Sequence, residues 1–147
     1  MADAKKTTMQ SLHGKLCVSM YEKFGHECLS GIEKTYGDYG RELGSGLKKK
    51  RNPESFQAAG EVFFRMCNAA GLPASIRFEG NTGHWEGKKC PFGLEDTHRS
   101  VCEAMMAMDL EMMRALAGTE KINMHIEKTL AAGDPICMGT YTLMDEE

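Results

Sequence analysis

The chain has 147 residues, 41% of them apolar, and a net charge of −3 with a pI near 6.0. That is enough apolar material for one hydrophobic core, and the charge balance offers nothing to a polyanion, so nucleic acid is not an expected partner. No stretch approaches the roughly 20 apolar residues of a membrane span, and the polar start Met1-Ala2-Asp3-Ala4-Lys5-Lys6 is no signal peptide, so a cytoplasmic protein that engages no membrane is expected.

Leu12, Leu16, Met20, Phe24, Cys28, Ile32 and Tyr36 recur every four positions, an apolar helical stripe extended loosely by Tyr39, Leu43 and Leu47. Glycines 25, 31, 37, 40 and 44 interrupt it. Each costs a helix about 1 kcal/mol against alanine, so either close helix packing or a break near Gly37–Gly40 must account for them. Two helical pieces are predicted, about 9–36 and 38–48. The basic run Lys48-Lys49-Lys50-Arg51 then reads as a solvated connector.

Asn52 can N-cap the next helix, with Pro53 at its first position and Phe56, Ala59, Phe63, Met66 and Ala70 on its inner face; Gly71 and Pro73 end it. Ile76 and Phe78 alternate with polar residues, Gly80-Asn81-Thr82-Gly83 turns, and His84-Trp85-Glu86 returns, which is a hairpin pattern. A long helix is predicted over about 97–117, with Val101, Met105, Met108, Met112 and Leu116 inward and Gly118 as its stop. A second hairpin follows, with Ile122, Met124 and Ile126 on one face, a Gly133-Asp134-Pro135 turn, and a return from Cys137 to Leu143. The expected fold is α+β over residues 1–147 as one domain, with N-terminal helices and an antiparallel sheet of about four strands. Residues 1–8 and 144–147 are expected to fray.

Six cysteines are many for a reducing compartment, where thiols, metal ligands or catalysis explain them better than disulfides. Cys17, Cys28 and Cys67 lie on or near helix stripes and read as core. Cys90, Cys102 and Cys137 come from a turn, a helix start and a hairpin, and could converge on a metal or a reaction centre. A fourth ligand or a base would be His125, on the polar side of its strand, with His98, His84 or a carboxylate as the other choices. The bland explanation is three buried thiols, since free cysteine packs well. Asp134 is most simply a turn former. Asp109 and Glu127 are ordinary charged positions unless they reach the cysteines. Trp85 lines either a ligand pocket or the hairpin core, and twelve methionines suggest packing that adapts around a ligand. Phosphate-binding glycine loops and the Gly-x-Ser-x-Gly elbow are absent, which removes most of the case for a nucleotide-binding protein or a serine hydrolase.

Cys90-Pro91, Val101-Cys102 and the segment from Glu127 through Gly133-Asp134-Pro135-Ile136-Cys137 resemble the L-2-amino-thiazoline-4-carboxylic acid hydrolase-like family, and Phe24-Gly25 and Tyr39-Gly40-Arg41 fit the same picture. The ending Gly-Asp-x-x-Cys followed by a strand is also similar to the four-vinyl-reductase domain, a small-molecule-binding module whose cysteines hold zinc in some regulators. The hydrolase resemblance implies water addition to a cyclic C–N bond of amidine or thiazoline type. Cys90, Cys102 and Cys137 would then serve as nucleophile or metal ligands, with His125 as base or fourth ligand. The domain resemblance implies the same cysteines around zinc or iron, an iron–sulphur cluster included, beside a ligand pocket. A small-molecule ligand or substrate is the expected partner, with self-association into a homodimer as a further expectation.

Overall fold

A computed structural model describes residues 6–144 of the chain. Helix α1, Met9–Phe24, starts from a reciprocal cap in which the Thr8 side chain accepts from the Ser11 amide and the Ser11 hydroxyl accepts from the Thr8 amide. It stops at Gly25, whose φ of 68° suits glycine, and a single tight turn over Gly25–Cys28 leads into α2, Leu29–Arg51. The break thus falls at Gly25, and α2 runs unbroken through Gly37 and Gly40. Thr8 and Met144, expected to fray, are tied: Met144 donates its amide to the Lys121 carbonyl at 2.8 Å. The rest of that expectation, for residues 1–5 and 145–147, lies outside the described residues.

Three further expectations are corrected. Asn52 does not cap the following helix; it closes α2 in the left-handed conformation (φ 45°, ψ 55°), and Pro53 comes just after, where a helix cannot continue. Lys48, Lys49, Lys50 and Arg51 are the last turn of α2, where positive charge complements the helix dipole. Ser55 is the cap of α3, Phe56–Ala69, accepting from the Ala58 amide. The long C-terminal helix is interrupted at Met106, giving α4, Arg99–Met105, and α5, Ala107–Ala117, which ends on Gly118 at φ 73°.

The strands β1 (Ala74–Glu79), β2 (Thr82–Gly87), β3 (Ile122–Lys128) and β4 (Cys137–Leu143) form one antiparallel sheet in the order β1-β2-β4-β3. The α+β expectation with two hairpins holds. The hairpins join through β2 and β4, where Trp85 pairs with Gly139 and Gly87 with Cys137. The inner face carries Ile76, Phe78, Trp85, Tyr141, Ile122 and Met124, packed against α3 and α5. Fully buried residues there, such as Leu116, Met113 and Ile122, each contribute about 1.5–3 kcal/mol relative to exposure. A second apolar cluster, around Cys17, Ile32, Leu94, Val101 and Met105, joins α1, α2 and α4.

Glycines 37, 40 and 44 lie buried along α2. A Cβ on Gly40 would stand 2.1 Å from the Met108 carbonyl oxygen, and one on Gly44 2.6 Å from that of Met112. Only glycine allows α2 and α5 to approach this closely, so close packing accounts for the interrupted stripe. Arg41, hydrogen-bonded to Glu111 and Glu120, clamps the solvent side of the seam. On α1 the apolar stripe itself is misleading. Gly14 and Cys17 face inward, while Leu12 and Leu16 stay exposed.

Candidate functional site

A cavity of about 330 Å³ opens between α3, α4–α5 and the inner face of the sheet. Apolar residues supply most of its wall. The aromatic side is Phe63, Phe64, Trp85 and Tyr141, and the facing side is Met105, Met106, Met108 and Met112. The size is that of a small-ligand pocket, lined as such pockets are by apolar groups with a few polar ones among them.

Polar groups reach the cavity from several elements. β2 places Trp85 with its ring buried and its Nε1 without any hydrogen-bond partner among the described residues. The indole is held in position by the sheet: a Cβ on Gly139, its partner in β4, would lie 2.7 Å from Trp85 Cζ2 and 2.1 Å from the His125 carbonyl oxygen. Leaving a buried N–H unmade costs about 1–3 kcal/mol, a cost that this indole carries among the described residues. α5 places Asp109, a half-buried residue that lines the cavity. No hydrogen bond or ion pair within the described residues compensates it, and burial alone pushes it up to about 7. β4 places Tyr141, fully buried, with its ring centroid 6.2 Å from that of Trp85. Burial and then the Asp109 charge raise its hydroxyl well above the ordinary range. Cys67 on α3 is pushed up to about 12, first by burial and then by Asp109.

Cys90, Cys102 and Cys137 all line this cavity, so the fold does bring the three late thiols to one wall. Burial is the first cause that raises Cys90 and Cys102, the latter to about 11, and the nearness of the other thiols raises each further. The Thr129 hydroxyl donates to Cys102 Sγ at 3.2 Å, and the Leu130 amide to Cys137 Sγ at 3.4 Å. Asp134 is the turn former that its sequence position suggests: its carboxylate accepts the Thr129 amide at 2.9 Å.

The histidines are not part of the wall. His125 pairs with Thr140 on the exposed face of the sheet, opposite the face that carries Cys137. His84 lies on that outer face too, 3.6 Å from Glu79, and His98 is bonded to Glu22 on α1 at 3.1 Å. A site joining His125 to the three thiols is therefore not formed. Among the described residues no three His, Cys, Asp or Glu side chains are arranged to hold a metal ion. The thiolate site implied by the four-vinyl-reductase resemblance does not fit these donors as they stand.

Asp109 is the residue that the sequence conceals. Its neighbours Met105, Met108 and Met112 show the helical period, but nothing local shows that the carboxyl turns inward.

No family model matches the sequence, and no curated protein does either. Solved structures share the fold. The chain is similar to the phenol-responsive sensory domain of the transcription activator PoxR, crystallised with phenol. That match has a TM-score of 0.68 at 15% identity and covers 95% of this chain and 76% of that one. It is also similar to trafficking protein particle complex subunit 3 from Naegleria fowleri covalently bound to palmitic acid. There the TM-score is 0.60 at 11% identity, with 92% of this chain and 95% of the other covered.

Proposed function

We propose that this protein binds a compact, mainly apolar small molecule in the cavity between α3, α5 and the sheet, as a ligand-binding domain and not as a catalyst. The observation that carries the reading is an apolar cavity of about 330 Å³ whose wall includes Trp85 and Asp109, neither with a side-chain hydrogen bond among the described residues. A preformed, mainly apolar space with a few polar groups at its wall is what a small ligand needs. The two structural neighbours hold phenol and palmitic acid, which supports the use of this architecture to enclose apolar molecules. Catalysis of the hydrolase type would call for an activated thiol, whereas burial raises Cys67, Cys90 and Cys102, the direction that disfavours the thiolate. A reducing cytoplasmic setting fits six cysteines that are all free. Within the described residues no helix is long and apolar enough to cross a membrane.

Trp85 is the only tryptophan, so its emission reports directly on the site. Titration with 4-propylphenol should give a saturable change in that emission and raise Tm. The absence of both, with phenol and decanoate also silent, would overturn the pocket reading.

A further inference from the structure

The cavity has one polar demand that specifies part of a ligand. Asp109 lines its wall, and its carboxyl has no hydrogen-bond donor or cation among the described residues. The other charged side chains that reach the cavity, Glu86, Lys89 and Lys128, belong to exposed residues. Among the described residues the wall therefore holds one half-buried carboxyl with no positive partner beside it. Buried carboxylates in folded proteins are paired or hydrogen-bonded, because an uncompensated one is costly. Around it stand the rings of Trp85 and Tyr141, whose faces attract cations, and the polarisable Cys67 and Met108.

Resting on the pocket reading above, we infer that the ligand is an aromatic amine whose protonated nitrogen pairs with Asp109. Its ring lies among Phe63, Phe64 and the methionines. Electrostatic complementarity makes Asp109 the residue that selects amines over neutral molecules of the same shape.

The test is a matched pair: tyramine and 4-propylphenol have the same ring, hydroxyl and chain length, and differ in a terminal ammonium against a methyl. Calorimetric titration of the full chain at pH 8 should give a Kd for tyramine at least tenfold below that for 4-propylphenol, although the phenol is the more hydrophobic. Asp109→Asn should abolish that preference and keep 4-propylphenol binding, with the thermal melt confirming that the variant folds. Trp85→Phe should weaken both. Equal or tighter binding of 4-propylphenol by the wild-type protein overturns the amine assignment and leaves the pocket reading standing; this comparison needs no variant. Binding of neither probe overturns both. A tyramine preference that survives in folded Asp109→Asn also overturns the role of Asp109.

Discussion

Helix α5 presents two faces that follow opposite rules. Toward α2 it is packed so closely that the Met108 and Met112 carbonyls occupy the space where side chains would be at positions 40 and 44. Toward the sheet it fronts a cavity, walled by Met108, Asp109 and Met112 with Trp85 and Tyr141 opposite. Interiors are normally filled. That one helix is locked on one side and left open on the other teaches that the opening is supported: the seam fixes the helix, so the open side need not collapse.

The largest effect should come from filling the seam. Gly40→Ala places a methyl against a backbone carbonyl with no flexible atom to yield, and should destabilise by about 3 kcal/mol, read as a lowered urea midpoint. Gly37→Ala, whose new carbon would meet nothing nearer than Glu111 Cγ at 3.5 Å, should be neutral or stabilise by up to about 1 kcal/mol. Equal effects at the two positions would show that the seam is not where α5 is fixed.

The open side should reveal itself through pH. Asp109 is at about 7 in the folded chain against an ordinary 3.8. Below about pH 4 both states hold the proton. As pH rises to about 7 the unfolded chain ionises first and stability falls; above that it levels off. The loss should be on the order of 2 kcal/mol, less than the whole shift implies because the carboxyl has cavity beside it. Asp109→Asn should flatten the profile between pH 5 and pH 8. An unchanged slope would mean that the carboxyl reaches solvent.

A smaller effect concerns the thiol wall. With Cys102 near 11, alkylation by iodoacetamide at pH 8 should run about 100-fold slower than for an unstructured thiol, followed by peptide mass spectrometry. Rapid labelling of Cys102 would restore the reactive-thiol reading. Near-stoichiometric zinc or iron in purified protein, lost in both Cys102→Ser and Cys137→Ser, would instead make the wall a metal site.

Much of the architecture is legible in the residues because it is periodic. The alternation at Ile76 and Phe78 and at Ile122, Met124 and Ile126, and the turn residues between strands, mark both hairpins. The gathering of Cys90, Cys102 and Cys137 was also within reach. Other features depend on contacts distant in sequence. Which residue of β3 faces Cys137 rests on the turn between the strands and on a register shift between Ile126 and Lys128, so the placement of His125 could not be read from its strand alone. The exposed stripe of α1 has a core-like period, yet only the neighbours that α1 meets decide that Gly14 and Cys17 turn inward. Asp109 was concealed for the same reason. A carboxyl on a helix is ordinary until three other elements close around it.

Gly139 has a consequence for how this site can diversify. Because its missing side chain is what admits both the Trp85 indole and the neighbouring strand, any replacement there disturbs sheet and ring together. The Trp85 side of the cavity is thus tied to backbone and resists gradual change. The methionines on the α4–α5 side are unbranched and can rearrange or be exchanged one at a time. Sequence change in this fold would therefore reshape the cavity from its helical side while the sheet side stays as it is.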